Sequence, residues 1–222
     1  MTPKNYILLG PPGSGKSTQA EFFVSQFKKA RIEMGAEFRK IAEEDSELGR
    51  TVKEAIDVRH ELVSDDIVKE VLRRAFAHIP NDQGIILDGA PRRETQIEEV
   101  LEAFQHHGRE VDRVIYIDLP KEISIDRISR RYSCSQCGKK FIVGMDIQST
   151  ETPCTACGGK LVQREDDTVE GVEKRYQIFH DETRPVIEYF AKRGKLLWVR
   201  GEQTSEKIFQ TILEGVGKLE IL

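Results

Sequence analysis

The chain has 222 residues, of which 38% are hydrophobic and 32% charged, and this composition is typical of a polar globular protein with one substantial core. A formal net charge of −4 argues against a surface for nucleic acid or for an anionic membrane. The apolar run Tyr6 to Leu9 is too short for a signal segment or a membrane span, so we expect a cytoplasmic protein.

Short apolar segments alternate with amphipathic segments along most of the chain. Strands are predicted at residues 6–9, 84–89, 114–118 and 196–199. Four helices are predicted from apolar side chains at three- and four-residue spacing. The first has Ala20, Phe23, Val24 and Phe27 on its apolar face, and the second has Ile67, Val68, Val71, Leu72 and Phe76. The third has Ile97, Val100, Leu101 and Phe104, and the last has Ile208, Ile212 and Val216. Ser64 is expected to cap the second helix. The alternation predicts an α/β fold, an open parallel sheet with helices on both faces.

Two stretches interrupt this alternation. Residues 34–63 carry many charges and no convincing strand, and they predict a small helical insertion. Residues 130–167 contain all four cysteines and predict a second insertion. The remaining ranges, 1–33, 64–129 and 168–222, are assigned to the core domain.

The segment Gly10 to Ser17 fits the phosphate-binding loop (P-loop) pattern G-x-x-x-x-G-K-[ST], between the first strand and the first helix. Glycines let the backbone N–H groups turn inward around phosphates, and the helix N-terminus faces the same anion. Lys16 is expected to reach the outer phosphates, and the Ser17 hydroxyl to ligate Mg²⁺. An ordinary glycine-rich loop is the alternative, and the strand–loop–helix context disfavours it.

Asp88 ends the second predicted strand and allows two interpretations. Its carboxylate can meet the magnesium ion or the ion's water shell, or Asp88-Gly89 can simply form a turn. The P-loop on a neighbouring strand favours the metal role.

The cysteines form two knuckles, Cys134-x-x-Cys137 and Cys154-x-x-Cys157, each followed by glycine. This spacing predicts a structural Zn²⁺ site with four thiolates and no open position for catalysis. Two disulfides or idle thiols are the alternative, and a reducing compartment favours a metal site over disulfides. A zinc ribbon that binds nucleic acid is a further alternative, which the acidic composition disfavours.

Several arginines lie near predicted element ends beside these motifs. Phosphoryl transfer needs cations arranged around the transferring group more than it needs covalent chemistry. The candidates are Arg39, Arg92, Arg127, Arg131, Arg164 and Arg175. For any single arginine the alternative is a solvated surface charge.

Four segments together resemble the adenylate kinase family in its zinc-lid variety, and the similarity covers nearly the whole chain. They are Gly10 to Ala20, Asp88-Gly89-Ala90-Pro91-Arg92 followed by Gln96, Asp126 to Arg131 before the first knuckle, and Gln163-Arg164-Glu165-Asp166-Asp167 with Arg175 after the second.

The resemblance implies reversible, Mg-dependent transfer of the ATP γ-phosphoryl group to AMP, with residues 34–63 as the acceptor-nucleotide insertion and 130–167 as a zinc-stapled lid. It implies a monomer that binds no nucleic acid and no membrane. Gly13, Ser14, Gly15, Lys16, Ser17 and Thr18 would cradle the ATP phosphates, and Arg127, Lys140, Phe141 and Gln203 would contact ATP. Arg39 and Arg92 would hold the acceptor phosphate, and Arg131, Arg164 and Arg175 would surround the transferring group. Met34, Leu62, Val63, Gly89 and Gln96 would line the acceptor base and ribose.

The acceptor side departs from the family pattern. Met34-Gly35-Ala36 replaces Thr-Gly-Asp, Arg59-His60 replaces Gly-Lys, and Ala90 replaces phenylalanine. AMP is still the expected acceptor, with weaker discrimination, because a thioether is a poor hydrogen-bond partner. A kinase of CMP, UMP or another small molecule on the same scaffold stays open. A switch GTPase is disfavoured because neither asparagine, Asn5 or Asn81, begins an N-K-x-D motif.

Overall fold

A parallel sheet of five strands lies at the centre of the computed structural model, which describes residues 3–59, 61–164 and 167–217. Its strands are β1 (Tyr6–Leu9), β2 (Ala30–Glu33), β3 (Ile85–Asp88), β4 (Arg113–Asp118) and β8 (Leu196–Arg200). They are arranged in the order β2-β3-β1-β4-β8, and every neighbouring pair is parallel. The predicted α/β class is therefore confirmed.

The helices connect the strands and cover the sheet. They are α1 (Lys16–Phe27), α2 (Met34–Ala42), α3 (Glu47–Lys53), α4 (Asp65–Phe76), α5 (Gln96–His106), α6 (Lys121–Ser129), α7 (Val169–Ile178), α8 (Arg184–Lys192) and α9 (Ser205–Val216). Two π-helical turns, Glu54–Arg59 and Phe179–Thr183, follow α3 and α7.

The alternation of side chains along β1 divides the core into two layers. Ile7 and Leu9 belong to one apolar cluster, which also contains residues of α4, α5 and α8. Tyr6 and Leu8 belong to the other cluster, with residues of α1 and α9. Aromatic pairs fill both layers, with ring centroids 4.9 Å apart for Phe76 and Phe104 and 5.2 Å apart for Phe23 and Phe209. A strand that is covered on both faces must be apolar throughout, which explains the uninterrupted sequence Tyr-Ile-Leu-Leu.

The two predicted insertions have different structures. The described part of residues 34–63 is helical, as predicted, and consists of α2, α3 and the first π-helical turn. Within residues 130–167, β5 (Arg131–Cys134), β6 (Lys140–Ile142) and β7 (Leu161–Val162) form an antiparallel sheet in the order β6-β5-β7. His60, Glu165 and Asp166, which the sequence analysis used, lie outside the described residues.

Several local predictions were wrong or incomplete. The strand β2 was missed because Arg31 and Glu33 interrupt its apolar pattern. Val24, assigned to a buried helix face, is 39% exposed. Ser64 occupies the N-cap of α4, yet its hydroxyl makes no capping hydrogen bond to the described helix. The segments α6, α7 and α8 were not predicted.

Asn5 joins three segments at the amino end of the sheet, and we predict that it is important for stability. Its Oδ1 accepts from the Ile85 N–H at 3.0 Å, and its Nδ2 donates to the Glu110 carbonyl at 2.9 Å. The residue is 2% exposed, so Asn5→Ala should leave buried polar groups unpaired and lower the free energy of unfolding by about 2–3 kcal/mol. Urea unfolding checks this against Asn81→Ala, which removes an exposed asparagine. Equal stability of the two variants would contradict the role of Asn5.

Candidate active site

The P-loop, residues 10–17, connects β1 to α1 at the carboxyl edge of the sheet. Gly10 has a φ of 155°, and a Cβ there would lie 2.4 Å from the Ile117 carbonyl oxygen, so no other residue fits. Lys16 folds over the loop and donates from Nζ to the carbonyls of Gly10 at 2.7 Å and Pro11 at 2.8 Å. The loop thus keeps its cation at the N-terminus of α1, where phosphates bind in such loops.

The charge of Lys16 is poorly solvated in this position. Burial lowers the pKa of Lys16 to about 8, and although Asp88 opposes this shift, the nearby cations Arg92, Lys140 and Arg131 add to it. A polyanion placed among these cations would relieve their mutual repulsion. The electrostatics of the site therefore favour a phosphate-bearing ligand.

Asp88 ends β3 with its carboxylate directed at the P-loop. The Ser17 hydroxyl donates to Asp88 Oδ2 at 3.1 Å, and Arg31 Nη2 lies 3.0 Å from the same oxygen. Asp88 is 4% exposed, and Gly89, with a φ of 93°, begins the turn that the sequence also allowed. A hydroxyl beside a carboxylate is the all-oxygen donor set that Mg²⁺ prefers, so these residues fit the predicted ion.

All six candidate arginines line one cavity of about 650 Å³ above the P-loop. Asp167 holds two of them, because its carboxylate accepts two hydrogen bonds from Arg131, at 2.9 and 2.7 Å, and one from Arg175 at 2.8 Å. Arg127 donates from Nη1 to the carbonyls of Gly201 at 2.9 Å and Gly13 at 3.3 Å. Arg39, Arg92 and Arg164 complete the set. The alternative of scattered surface charges does not fit this arrangement.

The predicted nucleotide-contacting residues are only partly brought together. Those that line the cavity are Gly13, Gly15, Lys16, Ser17, Thr18, Leu62, Gly89, Lys140 and Phe141, whereas Ser14, Met34, Val63, Gln96 and Gln203 lie outside its lining. Met34 is fully buried and packs in the core layer that contains α4, so its side chain does not face this cavity. Phe38, Ile56 and Phe179 supply an apolar wall instead. Phe38 and Ile56 lie in the helical insertion and Phe179 begins the second π-helical turn, and no local pattern separates an apolar side chain that lines a cavity from one that packs in the core.

Gln96 makes hydrogen bonds within the protein through both atoms of its amide. Its Oε1 accepts from the Arg92 N–H at 2.9 Å, and its Nε2 donates to Asp65 Oδ1 at 2.9 Å. In this conformation the side chain links the start of α4 to the loop that carries Arg92. Gln203 has a buried Oε1 that finds no hydrogen-bond partner among the described residues.

Lys140 lies at the P-loop. Its Nζ is 3.1 Å from Ser17 Oγ and 3.1 Å from Glu33 Oε1. Burial lowers the pKa of Lys140, and Glu33 opposes this shift. The resemblance implied a position beside adenosine, and the contact with Ser17 instead brings Lys140 to the phosphate-binding loop.

The four cysteines converge in the insertion formed by residues 130–167. Their sulfurs all lie within 4.8 Å of one another, and all four are free thiols, so the disulfide alternative is wrong. Each knuckle closes with a backbone hydrogen bond: the Gly138 N–H donates to the Cys134 carbonyl at 3.0 Å, and the Gly158 N–H donates to the Cys154 carbonyl at 2.8 Å. Four thiols at this separation fit one tetrahedral Zn²⁺.

Together the sheet, the P-loop and the ring of cations define a phosphate-binding α/β protein of the P-loop class. The sequence matches the adenylate kinase family over residues 8–195, and the chain belongs to that family. It is similar to proteins named adenylate kinase from Syntrophomonas wolfei (35% identical over 218 residues, 98% of this chain and 100% of the relative) and from Dehalococcoides mccartyi strain BAV1 (38% over 212 residues, 96% and 97%). A further relative of that name is from Thermosipho africanus (36% over 209 residues, 94% and 97%). The family resemblance predicted from the sequence is confirmed.

The enzyme class follows from the family, and it is a phosphotransferase that uses Mg-ATP. None of the described helices has the length and apolar character that crossing a bilayer requires.

We predict that the Asp167 carboxylate holds the guanidinium groups of Arg131 and Arg175 in place. Its side chain is 1% exposed, and Asp167→Asn would remove the carboxylate that ion-pairs with both of these partly buried cations. Loss of one partner from a buried ion pair costs about 3 kcal/mol or more, so the free energy of unfolding should fall by roughly that amount.

The measurement is chemical unfolding with Asp126→Asn as the matched control. Asp126 pairs with Arg130, but the side chain of Asp126 is 56% exposed, so its loss should change stability little. Added tripolyphosphate should stabilise Asp167→Asn more than the control, because the anion replaces the lost charge. Equal stability of the two variants would show that Asp167 does not hold the arginines.

Proposed function

We propose that this protein catalyses the reversible transfer of the γ-phosphoryl group of ATP to AMP, giving two molecules of ADP. The observation that carries the proposal is the convergence of the P-loop and six arginines on one cavity. The names of the relatives support the same reaction. A cavity of about 650 Å³ lined by both P-loop and acceptor-side residues suits two substrates that meet within one site.

On the donor side, we assign the ATP phosphates to the loop from Gly13 to Thr18. Backbone N–H groups at the start of α1 and the Lys16 ammonium bind the anion, and Arg127 and Phe141 border the rest of the nucleotide. Ser17 and Asp88 are the residues that would hold Mg²⁺. When bound, the ion would supply positive charge that offsets the negative charge developing on the phosphates during transfer.

On the acceptor side, we assign the AMP phosphate to Arg39 and Arg92. The apolar side chains of Phe38, Ile56 and Leu62 suit a base stacked or packed against them. Residues 34–63 would then be the acceptor-nucleotide insertion and residues 130–167 the lid. Because packing discriminates bases less than hydrogen bonding does, we expect looser acceptor choice than in an enzyme that reads the base edge with polar groups.

The transferring group itself is assigned to Arg131, Arg164 and Arg175. The γ-phosphoryl group moves through a loose transition state with charge on its equatorial oxygens, and these arginines supply matching positive charge. Their donors are preorganised, since Asp167 already orients Arg131 and Arg175. Exclusion of water by the lid would favour transfer over hydrolysis.

The test is an acceptor panel in which the full chain and Mg-ATP are mixed with AMP, CMP, UMP, GMP or dAMP, and diphosphate formation is measured. We expect AMP to be the best acceptor, with pyrimidine monophosphates used several-fold less well. Lys16→Ala and Arg92→Ala serve as controls against contaminating kinases. Each should keep its fold and lose most turnover, because one missing transition-state cation costs on the order of 10³-fold in this chemistry.

Preference for CMP or UMP over AMP would replace the acceptor in the proposal and keep the mechanism. Activity on none of the five would contradict the proposed function.

We further propose that the four cysteines bind one structural Zn²⁺ per chain. The clustered sulfurs and the hydrogen-bonded knuckles support this assignment. The free thiols suit a reducing compartment, so we place the protein in the cytoplasm. We expect a monomer, as the resemblance to the family implies.

Removal of the zinc should loosen the lid and leave the core folded, because the cysteine cluster has its own small apolar centre around Phe141 and Leu161. Cys154→Ser should lower the melting temperature and increase proteolysis within residues 130–167, since metal binding in such modules supplies folding energy. Elemental analysis of the purified chain should find one zinc per molecule. Absence of metal, or an unchanged proteolysis pattern in Cys154→Ser, would refute the assignment.

A further inference from the structure

Lys140 connects the proposed lid, residues 130–167, to the P-loop. Lys140 begins β6, and its Nζ contacts Ser17 Oγ and Glu33 Oε1, each at 3.1 Å. Ser17 lies next to Lys16 in the loop, so the Lys140 ammonium shares the electrostatic environment of the P-loop lysine. A cation from the second insertion thereby reaches the phosphate end of the cavity.

Glu33 is well placed to hold this cation. It is the last residue of β2 and is the register partner of Asp88 at the end of β3. Its Oε2 lies 2.7 Å from Arg31 Nη2, which also contacts Asp88, while its Oε1 faces Lys140. With Oε2 fixed by Arg31, the Glu33 side chain offers Oε1 to Lys140 at a defined position, and Arg39 Nη2 lies 3.8 Å from the same oxygen.

We propose that Lys140 is a catalytic residue, a cation carried by the lid that contacts the ATP phosphates during transfer, and that Glu33 is its positioning residue. This inference rests on the proposed function. During transfer the bond from the γ-phosphorus to the bridging oxygen of ADP breaks, and a bond to an AMP phosphate oxygen forms. Lys140 keeps its proton throughout and stabilises negative charge by hydrogen bonding.

The contacts favour a phosphate over adenosine as the partner of Lys140. The Ser17 hydroxyl donates its proton to Asp88, so it meets Lys140 as an acceptor. Phosphate oxygens are charged acceptors and form stronger hydrogen bonds with ammonium groups than a neutral hydroxyl does. When ATP fills the loop, its oxygens should therefore replace Ser17 as the partner of Lys140, while Glu33 stays in place.

The experiment compares binding of Mg-ATP and of inorganic tripolyphosphate to Lys140→Met and Lys139→Met by calorimetry, on the full chain with its metal. Lys139 is the adjacent exposed lysine, so its variant removes the same charge from the same hairpin. Loss of a hydrogen bond between charged groups should weaken both ligands about 10-fold in Lys140→Met, and Lys139→Met should match the wild type. A loss confined to ATP would overturn the proposal in favour of an adenosine contact. Unchanged binding of both ligands would overturn it in favour of a contact that only closes the lid.

Kinetics separate the catalytic role from the positioning role. At saturating nucleotide, Lys140→Met should lower kcat by roughly 30-fold, and Lys140→Arg should recover a large part of it, because charge at this position stabilises the transition state. Glu33→Gln should lower kcat by about 5-fold, and most of this effect should disappear in the Lys140→Met background, with only the part that comes from the contacts of Glu33 with Arg31 and Arg39 remaining. Additive effects in the double variant would remove Glu33 from the proposal.

Failure of this inference and failure of the proposed function give different results. If the wild-type chain phosphorylates AMP and Lys140→Met turns over as fast as Lys139→Met, the role of Lys140 is wrong and the reaction stands. If the wild type phosphorylates none of the acceptors, the proposed function is wrong. The binding comparison then still decides whether Lys140 contacts phosphate.

Discussion

The structure depends above all on the confinement of many positive charges in one cavity. Burial lowers the pKa values of Lys16, Arg131 and Lys140, because each of these cations has lost part of its contact with water. Within the described ranges, the carboxylates of Glu33, Asp88 and Asp167 each pair with cations of this cluster or with the P-loop. Such a concentration of positive charge favours a ligand that carries phosphates.

The parallel sheet is what brings these charges to one place. In a sheet of this kind the carboxyl ends of the strands lie along one edge, and the loops that leave them surround a common crevice. The P-loop follows β1, Glu33 ends β2 and Asp88 ends β3, and the register of β2 and β3 sets the two carboxylates side by side. Residues far apart in sequence meet here because the strands that carry them are neighbours.

The sequence predicted well those features that depend on local pattern. The strands β1, β3, β4 and β8 and the P-loop were found because buried strands leave uninterrupted apolar runs and the loop has a fixed glycine spacing. The cysteine cluster was predicted because two C-x-x-C pairs at this spacing can place four sulfurs around one ion. The strand β2 was missed because two of its four residues are charged, Glu33, which lines the cavity, and Arg31, which pairs with Glu33 and Asp88. Charged residues at and beside the site therefore take the place of the apolar residues that would have predicted this strand.

Predictions that depend on where a side chain points were less secure. Met34 occupies the position from which the family implied contact with the acceptor, yet it is fully buried in the core. The amide of Gln96 is engaged by the Arg92 backbone and by Asp65, a partner 31 positions away that no local pattern indicates. Lys140, which the resemblance assigned to adenosine, contacts Ser17 of the P-loop in this structure. Each difference arises from a contact between elements distant in the sequence, and a single sequence does not record such contacts.

The cysteine cluster and two cations of the site, Arg131 and Lys140, lie on or next to the same small sheet within residues 130–167. Strands β5 and β6 pair with Ser133 opposite Lys140 and Arg131 opposite Ile142, so Arg131 and Lys140 project from the same short ribbon. The first cysteine knuckle, from Cys134 to Cys137, closes the end of this ribbon. The pairing of β5 with β6 covers only three positions, so a metal held by the four cysteines would add rigidity to this small sheet. A metal that held the four sulfurs in place would therefore also fix the distance between Arg131 and Lys140. In this way a metal site without an open coordination position would influence phosphoryl transfer.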